Sequence, residues 1–395
     1  MSWMSVLVVD DADFVDIGHR RVTDLQRHSN LQVFEKSTHR HGKNRGGSLD
    51  LHADSGQRAL KEAGLLEKFQ RLARPEGETL RIIAPDGEVL MDESRGDPGR
   101  PDEFANRPEI DRTQLTDLLL GSLPPEAVKW GCRMLKIQEL ENSKLNLVFA
   151  DGHEEPDIDL VVGADGAWSK VRPFLSDTTP SYSGIGGLDC YIPSVDSRYP
   201  GLSEHVGQGM CLNLGSQKGI MCQRNSNGNI QLYAFGRLPI DWFSTCGIDF
   251  THSTARGKTI AALFSEFTGL QKSLVLNSEP DTIGRQLFTL PPNFRWNHHP
   301  RITIIGDAAH LMTPFAGVGV NLAMQDALDL AHAVAGVGWD QRPMAPMDTR
   351  LKQFEEAMWA RARQNAEATL MYQGLFFHDD GGIAMVEHFA KRRQE

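Results

Sequence analysis

The chain opens with two short apolar runs, residues 6–9 (VLVV) and 31–35 (LQVFE), separated by a polar stretch over 18–28. Their β-branched content and the polar helical segment between them predict a strand–helix–strand start with the two strands parallel. "DSGQRALKEAGLLEKF", residues 54–69, carries apolar positions at helical spacing and reads as one helix capped by Asp54 or Ser55. "TLRIIAPDGEVLMDE" predicts a hairpin turning at Pro85-Asp86-Gly87. "DRTQLTDLLLGSL" predicts a second amphipathic helix capped by Asp111, and residues 144–166 a hairpin followed by a buried strand at 160–162.

Between about 176 and 290 the texture changes. Short alternating segments such as "GMCLNLG", "GIMCQRN" and "IQLYAFGRL" are broken by Gly, Asn and Ser, as in an antiparallel sheet. "RITIIGDAAH" restores the buried-strand pattern, and from Ala345 onward the chain reads as helical. The expected fold is α/β: a Rossmann-like domain with an inserted antiparallel-sheet domain and a long C-terminal helix. The boundaries fall at 1–75, 105–175 and 286–340 for the first, 76–104 and 176–285 for the second, and 341–395 for the C-terminal helical segment.

Composition narrows the function. The 395 residues are 40% hydrophobic and 24% charged, as in a globular chain of two joined domains. A net charge of −11 argues against a nucleic-acid partner. The five cysteines are scattered without a Cys-x-x-Cys pair, which suits a reducing compartment. With no apolar run of ~18 residues and no leader pattern, the expectation is a cytoplasmic protein without a transmembrane segment, monomeric or weakly dimeric. His298-His299 before Pro300 reads as a solvated loop rather than a metal site.

Three stretches carry candidate chemistry. In "LVVGADGAWSKVRP" a buried strand ends in a glycine turn at Asp165, whose carboxylate can accept from a hydroxyl or orient the turn. In "ITIIGDAAHLMTPFAGVGVNLAMQDALDLA", Gly306 and Asp307 lie just past a strand's carboxyl end. There Pro314, Gly317 and Gly319 lead into a helix whose free N–H groups suit an anion. "GKNRGGSLDLHADSGQ" adds Lys43, Arg45, Asp50 and His52 in a short extended run, a weak signal alone.

Together these segments resemble the single-component FAD-dependent aromatic hydroxylases, especially the tetracycline-inactivating monooxygenases. "GGSLDLH", "EIDRTQL", "GADGAWSKVR" and "IGDAAHLMTPFAGVGVN" carry the likeness, which runs from about Leu31 to Leu370. The resemblance implies FAD, NAD(P)H as co-substrate, and a small organic substrate of aromatic or polyketide type. It also implies that Glu35 holds the adenosine ribose, that Lys43 lies beside the flavin ring, and that Asp50 and Arg112 contact the cofactor. Asp165 would serve FAD and the nicotinamide donor. Gly306-Asp307 would meet the ribitol, and Pro314, Gly317, Gly319 and Asn321 would line the ring and diphosphate. Relatives usually carry arginine at the position of Lys43, with a forked, stacking side chain that lysine lacks.

One departure stands out. The family's Gly-x-Gly-x-x-Gly turn is replaced by Asp10, Asp11, Asp13 and Asp16 around residues 10–16. One carboxylate ~5 Å from a phosphate costs about 3 kcal/mol at an effective dielectric of ~20, roughly a hundredfold in affinity. Two readings therefore stay open. Either FAD binds through the other anchors and the enzyme hydroxylates or epoxidises its substrate, or the flavin is weak or lost. In the second case the scaffold catalyses a non-redox cyclisation or isomerisation with Asp50, His52 or His310 as acid–base groups, or simply binds a small molecule. The β-rich region offers Tyr191, Met210, Phe235, Trp242 and Phe243 as lining residues, positions that on strands are more often core.

Overall fold

The computed structural model describes residues 4–10, 29–39, 46–96, 106–335 and 345–394. The polar stretch 18–28, the acidic turn beyond Asp10, and Lys43 and Arg45 lie outside the described residues.

The opening strands form the centre of a five-stranded sheet. Met4–Asp10 is flanked on one side by Ser29–Glu35 and then Val128–Trp130, and on the other by Leu160–Ala164 and then Ile302–Ile304. Every pairing in it is parallel. Parallel strands buried on both faces need continuous apolar runs, and Leu160, Val161, Val162, Ile302 and Ile304 are nearly inaccessible to solvent. The register aligns Asp10 with both Glu35 and Ala164. The carboxyl ends of the strands thus gather Asp10, Glu35, Asp165 and the Gly306-Asp307 turn along one edge. The chain leaves the central strand first to one side and later to the other, which opens a crevice at this edge.

A three-stranded antiparallel sheet, Met134–Glu139, Leu145–Phe149 and Glu154–Ile158, shares a core with the parallel one, and Phe149 stacks on Phe34 with ring centroids 4.9 Å apart.

The β-rich region forms a seven-stranded sheet. Its order is Ile283–Thr289, Ser181–Ile192, Asn229–Arg237, Lys218–Asn225, Met210–Gly215, Leu80–Ile83 and Val89–Asp92. The hairpin at Pro85–Gly87 is therefore part of this sheet, joined by a parallel pairing of Leu80–Ile83 with Met210–Gly215. Side chains alternate between its faces. Cys190, Cys222, Ile230 and Leu232 pack beneath the helices Ala255–Leu263 and Gly269–Leu276. Leu212, Met221 and Phe235 face Phe315 and the end of the 30-residue helix Met347–Phe376.

Two local expectations are corrected. Residues 54–69 are not one helix. Gly64 adopts φ +76°, closes the helix Gly56–Ala63 by donating to Lys61 and Leu60 carbonyls as a left-handed cap, and a second helix runs Leu66–Leu72. Neither Ser55 nor Asp111 makes a side-chain cap. Asp111 instead accepts from the Ser226 N–H at 3.1 Å and from Arg74 at 3.3 Å, tying the start of the helix Arg112–Leu120 to the seven-stranded sheet.

Candidate active site

At the strand-end edge, Glu35 is 1% exposed and one carboxylate oxygen accepts from the Ser37 N–H at 2.6 Å. Asp165 Oδ2 accepts from the N–H groups of Lys170 (2.5 Å) and Val171 (3.2 Å), while its Oδ1 is buried without a partner among the described residues. Burial pushes the Asp165 carboxyl above the usual range, against the pull of Ser169 and the backbone N–H donors. Gly163 permits this turn, since a Cβ there would lie 2.6 Å from the Val171 Cβ. Arg172, also buried, donates to the carbonyls of Ala308 (3.0 Å) and Ala167 (2.5 Å), and its charge faces Asp165 and Asp307. It joins the two acidic turns of the edge, a role the sequence reading did not give it.

The second half of the site is a clamp across 271 positions of sequence. Asn321 Nδ2 donates to the Asp50 carbonyl at 2.8 Å, and its Oδ1 accepts the His52 N–H at 2.8 Å. A single carboxamide thus replaces a strand neighbour for the segment after Ser48–Asp50. The Asp50 carboxylate accepts from His52 Nε2 at 3.0 Å. Gly317, at φ +67°, ends the turn Pro314–Ala316, and a Cβ on it would stand 3.4 Å from the Asp50 carboxylate. Gly319 begins the 17-residue helix Gly319–Ala335 with open space where its Cβ would point. By the geometry of a helix start, its first N–H groups have no intrahelical acceptors and carry the positive end of the dipole.

The third wall is the seven-stranded sheet. A Cβ on Gly46 would lie 2.7 Å from Arg112 Cβ, so only glycine lets the segment before Ser48–Asp50 pass the arginine. Asn225 Nδ2 donates to the Gly46 carbonyl at 3.0 Å, and a Cβ on Gly47 would come within 3.5 Å of the Tyr233 hydroxyl. The structure thus brings Asp50, Pro314, Gly317, Gly319 and Asn321 together, sets Arg112 beside Gly46–Gly47, and places Glu35, Asp165, Gly306 and Asp307 along the strand-end edge.

Residues 293–368 match the family model described as an FAD binding domain. Monooxygenase asqM from Emericella nidulans is 29% identical over 387 residues, covering 82% of this chain and 83% of that protein. The chain is similar to FAD-dependent monooxygenases. Two solved structures share its fold. A variant of HpxO from Klebsiella pneumoniae complexed with FAD gives a TM-score of 0.76 at 18% identity, covering 99% of this chain and 95% of that one. Tetracycline destructase Tet(51) gives 0.69 at 17%, covering 100% and 96%.

The residues fit the flavin nucleotide of such a monooxygenase. An unpartnered buried Asp165 oxygen, a left-handed Gly317 against a carboxylate, and an open helix start at Gly319 are what a ligand carrying hydroxyls and a diphosphate requires.

Other sequence candidates fall elsewhere. His310 is not an acid–base group of the site. It is 7% exposed, and its Nε2 donates to Asp326 Oδ2 at 2.5 Å. Burial alone would pull its pKa down, but the Asp326 carboxylate outweighs that and raises it. Asp326 also accepts from the Gly306 N–H (3.1 Å) and from Arg361 (2.9 Å), so it pins the Asp307 turn to two helices. His298 is not in a solvated loop. It bridges the buried Glu355 (2.6 Å) and Asp348 (3.0 Å), while His299 reaches Glu139. Phe235 is 2% exposed and belongs to the core, and Trp242 and Phe243 pack on each other and Phe250. No described helix is long and apolar enough to cross a membrane.

Proposed function

We propose that the chain uses NAD(P)H and O2 to hydroxylate or epoxidise an aromatic or polycyclic small molecule of secondary metabolism, in the cytoplasm. The observation that carries this reading is the Asn321 clamp, which holds Asp50 and His52 against Gly317 at the open start of the Gly319–Ala335 helix. In this reading residues 1–75, 105–175 and 286–340 hold FAD, residues 76–104 and 176–285 cover the substrate, and 341–395 close the assembly. Glu35 takes the adenosine ribose. Asp307 takes the ribitol, and the N–H groups after Gly317 face the diphosphate and ring. Arg112 and Asp165 complete the cofactor contacts, and Lys43 is assigned to the ring edge.

Bound FAD supplies acceptance of a hydride from NAD(P)H and reaction with O2. The chain's own part is positioning and exclusion of water. The Asn321 carboxamide fixes the backbone of Asp50 and His52, and the buried aromatic wall of Phe315, Phe376 and Phe377 lies behind the Pro314 turn. Such positioning suffices for a reaction whose bond-making chemistry resides in the cofactor.

The test is oxygen uptake and NAD(P)H oxidation by the FAD-loaded protein with a panel of aromatic and polyketide-type compounds. Substrate-stimulated, flavin-dependent oxygen consumption with an oxygenated product supports the reading. Turnover of such a compound without flavin, oxygen or reductant would sink it in favour of the non-redox catalyst.

A further inference from the structure

We propose that the seven-stranded sheet recognises the substrate through a neutral cis-amide edge, a lactam or its equivalent, with the Gln223 carboxamide as its two-point partner. This rests on the monooxygenase reading and names the substrate class of the same site.

Gln223 is 8% exposed, and neither its Oε1 nor its Nε2 has a hydrogen-bond partner among the described residues. Buried amides are nearly always paired, so a whole carboxamide left open marks a place where a ligand completes the structure. Its orientation follows from alternation along Lys218–Asn225. Cys222 faces the helix-covered core, and Arg224 faces Asp196 and Ser203. Met221, Gln223 and Asn225 therefore share the opposite face, where Asn225 binds the Gly46 carbonyl.

The neighbours of Gln223 are set by register. Gln231 lies directly across from it and Met210 on its other side, with Tyr191 beyond Gln231. Gln231 Nε2 donates to Asp189 and to the Cys190 carbonyl, which leaves its Oε1 buried without a partner. In the next row, Tyr233 opposes Met221 and Asp189. Burial pushes the Tyr233 phenol up to about 12, so it stays a neutral hydroxyl.

These groups decide the chemistry of the complement. A carboxamide offers one donor and one acceptor on a single edge, and its match offers the reverse pair. A carboxylate supplies acceptors only, so it leaves the Gln223 oxygen and the Gln231 oxygen unmet. Two cations act on Tyr233 in the next row, Arg112, assigned above to the cofactor, and Arg285, which is tied to Asp189. A cis-amide meets both atoms of Gln223 without importing charge, with Met210 and Tyr191 in the same row beside it.

The experiment measures binding of oxindole, N-methyloxindole and benzoate to the FAD-loaded protein by ligand-observed NMR. Flavin content is read from visible absorbance on the same samples. Oxindole carries the donor–acceptor edge, N-methyloxindole lacks the donor, and benzoate lacks it and adds charge. Oxindole is expected to bind about tenfold tighter than either, the worth of one well-placed hydrogen bond to a buried group. Gln223→Met should bring the three to within about twofold with FAD content unchanged, whereas Gln223→Glu, which keeps the acceptor and loses the donor, should keep oxindole ahead of N-methyloxindole and weaken benzoate further. A flavin-loaded wild type that binds none of the three, or binds them equally, overturns the inference. So does a Gln223→Met variant that keeps the preference. A wild type that takes up no flavin is a separate result, which contradicts the monooxygenase reading instead.

Discussion

Asn321 is the residue on which the site turns. Its two short hydrogen bonds, to Asp50 and His52, join segments that share no sheet, and each is worth about 1 kcal/mol net. Asn321→Ala should therefore lower stability by about 2 kcal/mol in urea titrations and weaken FAD binding by about tenfold in fluorescence titrations. An unchanged FAD affinity would show that the clamp is structural only. Much of this residue chemistry was legible: Asp50, Gly317, Gly319 and Asn321 sat in recognisable segments, and the structure puts them together. Arg172 and Gln223 were not legible. Arg172 matters because two turns distant in sequence converge on it, and Gln223 because of its cross-strand register with Gln231. Neither fact has a local signature. His310 misled for the opposite reason, since its motif position suggests the site while Asp326 draws its ring into the core.

At the scale of elements, the patterns of 2 and 3.6 located most strands and helices, and the failures were at their ends. The 54–69 helix broke because Gly64 can adopt the left-handed conformation that closes a helix, and the apolar periodicity continues across the break in both halves. The Asp111 cap failed because a tertiary partner, the Ser226 N–H, took its carboxylate. The helix Met347–Phe376 is fastened to the loop before Ile302–Ile304 through His298. Burial opposes a charged His298, but Asp348 and Glu355 together raise its pKa. A group with a raised folded-state pKa contributes stability that is complete below its free value of ~6.5 and is lost as pH rises through the raised value. His298→Gln should accordingly flatten the stability–pH curve across and just above that window, read from denaturation midpoints. A parallel curve would remove the latch.

At the scale of the whole molecule, three helices and the Gly306 turn meet at Asp326, which is fully buried and holds His310, Arg361 and the Gly306 N–H at once. Removing one partner of such a buried set costs about 3–5 kcal/mol, because it leaves charge without compensation. Asp326→Asn should lower the urea midpoint by that order and weaken FAD binding through the displaced Asp307 turn. The parallel pairing of the two opening strands was legible in their pattern, whereas the partnership of Leu80–Ile83 with Met210–Gly215 depends on contacts 130 positions apart.

The central claim is that an FAD site persists behind an acidic opening turn. Its most direct measurement is the visible spectrum of the purified protein, before and after incubation with FAD and desalting. The account predicts a flavin spectrum near one equivalent per chain after loading, because Asp165, Asp307, Asn321 and the Gly319 helix start all remain in place. A protein that stays colourless, folded by circular dichroism yet unable to retain FAD, would contradict it.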